Sequence, residues 1–150
     1  MRKILMVCLG NICRSPLAEG IMLKLISEHQ LDIQVDSAGT SGYHIDEAPD
    51  KRTILNASEH KIDLTDLRAR QFTIHDFDRF DEIYVMDKSN LKNVLALTNT
   101  EHHLSKVDLL LNASHPNQNK EVPDPYFGDE KGFEHVFNLI HHACLKIALD

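Results

Sequence analysis

Ile4-Leu5-Met6-Val7 is an unbroken apolar run with no alternating polar positions. A strand of that kind has no face to give to water, so it requires burial on both sides, as in a parallel sheet covered by helices. The next residues narrow the fold further. Gly10 and Asn11 interrupt the run with turn-forming residues. Ser15-Pro16 then opens a helical pattern, in which Ser15 reads as the N-cap and Pro16 as the first helical residue. Leu17, Ala18, Ile21, Met22 and Leu25 recur at helical spacing as far as about His29. The unit is a strand, a tight loop and a helix.

The same alternation recurs along the chain. Ile33, Val35 and Ser37 predict a second strand that leads into a flexible loop over 38–42, ending at Tyr43. A helix is expected over 50–60 with Ile54, Leu55 and Ala57 facing inward, whereas 64–72 has no clear period and 74–80 suits a short helix. Residues 82–86 read as a third strand, followed by a helix capped by Asp87 or Ser89 and carrying Leu91, Val94, Leu95 and Leu97. A fourth apolar run spans 107–111, and 112–125 is a polar loop rich in Asn and Pro. The last helix, over 131–149, places Phe133, Val136, Phe137, Ile140, Cys144, Ile147 and Ala148 on one face. This order predicts one α/β domain over 1–150, an open sheet of about four parallel strands with helices on both faces. In such sheets ligands bind beyond the carboxyl ends of the strands, where the loops at 8–15, 38–46 and 112–128 gather.

Composition removes several classes of function. The 150 residues include 16 Lys and Arg against 23 Asp and Glu, a formal net charge of -7, which repels polyanions and argues against nucleic acid as a partner. No apolar run approaches the roughly 18 residues of a membrane span, and the short stretch 4–9 lacks the pattern of a signal peptide. A cytoplasmic protein without membrane insertion is expected. Cys8, Cys13 and Cys144 are an odd number of thiols, which suits reduced cysteines rather than a disulfide framework. The adjacent pairs His102-His103 and His141-His142 point about 100° apart on a helix and have no Cys or carboxylate at zinc-type spacing, so solvent-exposed histidines and no metal are expected.

The loop after the first strand carries the chemistry. Folded as a cup, Cys8-Leu9-Gly10-Asn11-Ile12-Cys13-Arg14-Ser15 would turn successive backbone N–H groups inward. The following helix start adds partial positive charge, making a site for a tetrahedral oxyanion. Gly10 eases the tight curvature, Asn11 tolerates a left-handed backbone, and the planar fork of Arg14 suits two phosphoryl oxygens. The field that binds phosphate also favours the thiolate of Cys8, a nucleophile at the floor of the cup, and the Ser15 hydroxyl stands ready to donate to it. Asp124, between Pro123 and Pro125, is a carboxyl on a restrained backbone in a loop expected at the same crevice.

These residues resemble the C-x5-R-S signature of the low-molecular-weight protein tyrosine phosphatases, including its bacterial-type members. Asp36-Ser37-Ala38-Gly39-Thr40, Ala69-Arg70-Gln71, Met86-Asp87 with Asn90, and Asp124-Pro125-Tyr126 follow in that family's order, so the likeness covers essentially the whole chain. The resemblance implies phosphotyrosine hydrolysis without a cofactor, through a phosphocysteine on Cys8. Arg14 and the amides of Leu9, Gly10, Asn11, Ile12, Cys13 and Ser15 would bind the phosphoryl group, with Asp124 as general acid and then base. It also implies that Asn11 and Ser37 support the loop from behind, that Tyr43, Tyr126 and Phe127 wall the entrance, and that Cys13 can trap an oxidised Cys8. The family position before Ala-Arg-Gln, often His in the animal enzymes, falls here on Leu67 or Arg68. The implied partner is a phosphotyrosine protein, such as an autophosphorylated tyrosine kinase, met by a monomer.

Two other readings share parts of this pattern. Arsenate reductase uses the same loop but needs further cysteines after the third strand, and 86–97 contains none. A phosphate-binding module without catalysis would keep Arg14 and lose the nucleophile or the acid, yet Cys8 and Asp124 are both present.

Overall fold

Four parallel strands form one open sheet in the order β2-β1-β3-β4. The structure, a computed structural model, describes residues 1–126 and 128–150. Its elements in chain order begin with β1 (Arg2–Cys8), α1 (Arg14–His29), β2 (Ile33–Gly39), α2 (Lys51–Glu59) and α3 (Asp76–Arg79). They continue with β3 (Glu82–Val85), α4 (Lys88–Leu95), α5 (Glu101–Leu104), β4 (Val107–Leu109) and α6 (Glu130–Leu149). The predicted α/β fold with helices on both faces is the one observed.

β1 is central, and its side chains divide between two cores. Ile4 and Met6 face a large cluster with Leu17, Ile21 and Met22 of α1 and with Val136, Phe137 and Ile140 of α6. Leu5 and Val7 face the other side, where Phe77 of α3, Ile83 and Val85 of β3 and Val94 of α4 close a second cluster. Both clusters exclude water from the strand, which is why an unbroken apolar run is stable there. α1 and α6 also pack against each other on the first face.

Local differences from the sequence reading have identifiable causes. β2 runs on through Gly39 instead of loosening at Ala38, because Gly39 pairs in register with Cys8 and forms a further bridge to Gln71. That bridge gives the unassigned stretch 64–72 its structure, with Gly39 donating to the Arg70 carbonyl at 2.8 Å and Phe72 donating to that of Gly39 at 2.7 Å. The short helix is only Asp76–Arg79, and α5 has no counterpart in the sequence pattern. Leu55 and Leu97 lie on the outside, while Thr53, Asn56 and Ala57 form the inner face of α2. The fourth apolar run is split, with Leu110–Asn112 forming a 3-10 turn after β4. His103 and His141 are half-buried rather than exposed, stacked on Phe77 and Phe137 respectively. Among the described residues no helix is long and apolar enough to cross a membrane.

Candidate active site

The loop between β1 and α1 is shaped from behind. Asn11 takes the left-handed backbone conformation, φ 57°, while Gly10 keeps a negative φ, so the conformational demand falls on Asn11 alone. Gly10 instead supplies room, since a Cβ there would lie 3.0 Å from Cδ2 of His44. The Asn11 amide group donates to Ser15 Oγ at 2.7 Å and to Ser37 Oγ at 2.9 Å, and its carbonyl accepts the Arg70 N–H at 3.0 Å. One buried side chain thus ties the loop to α1, to β2 and to the 64–72 segment.

Ser15 is not the helix cap. α1 begins at Arg14 with Cys13 as N-cap and no side-chain cap, because the Ser15 hydroxyl is turned toward the loop and lies 3.0 Å from Cys8 Sγ. Since Ser15 Oγ already accepts from Asn11, its own proton goes to sulfur or to the Ala38 carbonyl, 3.4 Å away. The uncapped start leaves first-turn N–H groups without intrahelical partners, an arrangement suited to an anion.

Arg14 is 2% exposed and held at fixed orientation. Nη1 donates to Asp87 Oδ2 at 2.7 Å and to the Val122 carbonyl at 2.9 Å, while Nη2 lies 3.6 Å from Asp124 Oδ2. Burial opposes the charge, but neighbouring Cys8, the Asp87 hydrogen bond and Asp124 outweigh it and raise the guanidinium pKa. Asp87 also caps α4 in a reciprocal box with Asn90. The acid-bearing loop is pinned to the sheet where Val122 donates to the Met86 carbonyl at 2.8 Å. Asp124 Oδ1 accepts the Tyr126 N–H at 3.0 Å, leaving Oδ2 toward Arg14.

A cavity of about 210 Å³ opens over this arrangement, lined by Cys8, Leu9, Gly10, Ile12, Cys13 and Arg14 on the floor side and by Tyr43, His44, Asp124 and Tyr126. The structure therefore gathers most of the residues singled out in the sequence, with Asn11, Ser15 and Ser37 as the layer behind. Tyr43 is 79% exposed and stands at the rim, and Phe127 lies outside the described residues. Cys13 is buried, which pushes its thiol up to about 12, and Cys144 is fully buried in the core.

Three contributors escape the sequence reading. His44 forms part of the wall and is oriented by Glu47, Nδ1 to Oε2 at 2.9 Å. Arg52 braces the acid loop by donating to the Tyr126 carbonyl at 2.7 Å while pairing with Asp50. Glu19 accepts from Ser37 Oγ at 2.5 Å and ends the chain Cys8, Ser15, Asn11, Ser37. Burial pushes its carboxyl up to about 7, and among the described residues no cation comes within ion-pair distance of it. Of the two residues that fall at the position often His in the animal enzymes, Leu67 is partly buried against the larger core and Arg68 donates to the Thr65 and Leu67 carbonyls.

Comparison with known proteins gives the family. The family model of the low molecular weight phosphotyrosine protein phosphatases matches residues 3–149. A putative low molecular weight protein-tyrosine-phosphatase of Synechocystis is 43% identical over 144 residues, covering 95% of this chain and 91% of that protein. The human low molecular weight phosphotyrosine protein phosphatase is 38% identical over 145 residues, with coverage of 95% and 91%. Among solved structures, a protein tyrosine phosphatase from Entamoeba histolytica with Hepes in its active site superposes with a TM-score of 0.91 at 37% identity, covering 98% of this chain and 94% of that one. With the loop, the buried arginine and the acid-bearing segment in place, the chain belongs to the low molecular weight phosphotyrosine protein phosphatases and is a hydrolase.

Proposed function

We propose that this chain, acting as a single domain over 1–150, hydrolyses phosphotyrosine monoesters through a phosphocysteine on Cys8. The observation that carries the reading is the convergence on one cavity of Cys8, an anchored Arg14 and the Asp124 carboxyl, 3.6 Å from that arginine. The loop amides and Arg14 hold the equatorial phosphoryl oxygens while Cys8 sulfur attacks phosphorus in line. The bond to the tyrosine oxygen breaks, and Asp124 delivers its proton to that oxygen. Asp124 then takes a proton from water as the water oxygen attacks the phosphocysteine, which frees the Cys8 thiolate and inorganic phosphate. Ser15 stabilises the thiolate in both steps through its 3.0 Å contact. Tyr43 and Tyr126 flank an aryl ring, and the depth of Cys8 below them disfavours the shorter phosphoserine.

The reading extends to a monomer acting in the cytoplasm on a phosphotyrosine protein, such as an autophosphorylated tyrosine kinase. Cys13 borders the same cavity as Cys8 and gives it a protective role. Peroxide converts the Cys8 thiolate to a sulfenic acid, the Cys13 thiol condenses with it to a disulfide with loss of water, and a dithiol restores both.

Turnover of p-nitrophenyl phosphate tests the core of this reading. Wild-type protein hydrolyses it, Cys8→Ser abolishes turnover while retaining vanadate binding, and Cys13→Ser and Cys144→Ser stay active. Turnover by Cys8→Ser comparable to wild type overturns the mechanism.

A further inference from the structure

The catalytic cavity has a neighbour. Between α2 and the start of α6 runs a groove of about 510 Å³, which Arg52 lines on the side nearest the catalytic cavity. The Arg52 guanidinium lies 5.5 Å from the ring centroid of Tyr126, which lines the catalytic cavity, and 4.9 Å from that of Phe133, which lines the groove. A residue flanking a phosphotyrosine held in the first cavity is therefore within reach of the second.

The groove has an apolar floor and an acidic rim. Leu55, 59% exposed, is the open apolar surface of the floor, and Phe133, 4% exposed and stacked by Arg52, underlies it. The charges on the rim do not balance. Arg52 is already matched by Asp50 at 3.1 Å, and Glu134 is hydrogen-bonded to His60 at 2.7 Å. Asp129 accepts the Gly132 N–H as the cap of α6. Glu59 and Glu130 have no ion-pair partner among the described residues, and Lys131 is the one remaining cation lining the groove.

From this we infer that the groove between α2 and α6 is a substrate-recognition surface that takes a lysine or arginine side chain flanking the phosphotyrosine of the substrate. The aliphatic stem of such a residue covers Leu55 while its charged head meets Glu59 and Glu130. An acidic residue at the same place meets unscreened carboxylates and is disfavoured. The inference rests on the phosphotyrosine reading of the adjoining cavity and adds a preference in substrate sequence.

The test uses phosphotyrosine peptides with Lys or Glu at each flanking position in turn, with p-nitrophenyl phosphate as a substrate too small to reach the groove. At low salt, wild-type protein is expected to favour Lys over Glu at one or more positions by about three- to tenfold in kcat/KM, the size expected from two exposed ion pairs. The double variant Glu59→Gln, Glu130→Gln abolishes that preference, and Glu59→Lys with Glu130→Lys inverts it, while turnover of p-nitrophenyl phosphate stays at the wild-type level. Equal rates for all peptides, a preference for Glu, or a Lys preference that survives the double Gln variant overturns the groove while leaving the catalytic reading intact. Absence of p-nitrophenyl phosphate turnover in the wild type overturns the catalytic reading, and the groove falls with it.

Discussion

Arg14 and Asp87, 73 positions apart in sequence, meet at 2.7 Å, and the same Asp87 carboxylate caps α4 with its other oxygen. One side chain thus fixes both the orientation of the buried guanidinium and the start of a helix. Asp87→Ala removes the cap, at about 1 kcal/mol, and strips a buried cation of its closest anion. Because the Val122 carbonyl and Asp124 remain near Arg14, the total loss is expected at about 2–4 kcal/mol. Asp87→Asn, which keeps an acceptor for the cap, should lose about half as much. Urea denaturation of the three proteins measures this, and a loss below about 1 kcal/mol for Asp87→Ala contradicts it.

Gly39 tests how tightly the loop is seated on the sheet. A Cβ there would lie 2.8 Å from the Leu9 carbonyl oxygen, 3.0 Å from Gly10 C and 3.1 Å from Asn11 N, all backbone atoms that cannot swing away. Gly39→Ala therefore displaces the loop, costing about 1–3 kcal/mol of stability and at least roughly tenfold in kcat/KM. Gly132 is the opposite case. Its nearest neighbour to an added Cβ is Asp129 Oδ1 at 3.8 Å within the first turn of α6, so Gly132→Ala should raise stability by up to about 1 kcal/mol with unchanged kinetics.

Much of this is legible in the sequence, for physical reasons that also mark where it is not. The run Ile4-Leu5-Met6-Val7 exposes its environment because no polar residue interrupts it, and the start of α4 is announced by the cap candidates Asp87 and Ser89, of which the structure uses Asp87, because cap chemistry is local. Ser15 misleads by the same local logic, since a hydroxyl before Pro16 looks like a cap until the fold brings Cys8 within 3.0 Å. Glu19 is invisible because a glutamate in a helix ordinarily faces water, and only the packing of α1 against β2 carries it beside Ser37. His44 and Arg52 lack any sequence signal of their own, being placed by contacts with Glu47, Asp50 and the Tyr126 backbone.

The burial of Glu19 gives stability a pH dependence of definite sign. Its carboxyl titrates at about 7 in the folded protein against 4.5 ordinarily, because burial penalises the charged form more than the Ser37 hydrogen bond favours it. Between those values the folded state holds a proton that the unfolded chain has released, so stability falls as pH rises. The contribution is fully present below about pH 4.5 and gone above about 7, amounting to roughly 3 kcal/mol at about 1.4 kcal/mol per unit. Glu19→Gln keeps an acceptor for Ser37 and should flatten this part of the profile, making the variant more stable than wild type at pH above about 7. Denaturation midpoints of both proteins across that range check the slope, and parallel curves would sink the assignment.

Asp124 is the most exposed of the three proposed catalytic residues, its side chain 42% accessible and yet constrained by prolines on either side, by the Tyr126 N–H and by Arg14. A proton donor matters most when the leaving oxygen is strongly basic, as in phosphotyrosine, and least when the phenol is acidic. Asp124→Asn preserves the acceptor for the Tyr126 N–H and therefore the loop, but has no acidic proton to give. It should slow phosphotyrosine cleavage by roughly 10²–10⁴, the range usual for general acid catalysis, and aryl phosphates with acidic phenols by much less. The slope of log kcat/KM against the phenol pKa should accordingly steepen in the variant. Uniform slowing of all leaving groups, with the slope unchanged, would show that Asn at this position had disturbed the loop or the charge around Arg14. The acid would then be sought among the other groups lining the cavity, with His44 the first to be tested.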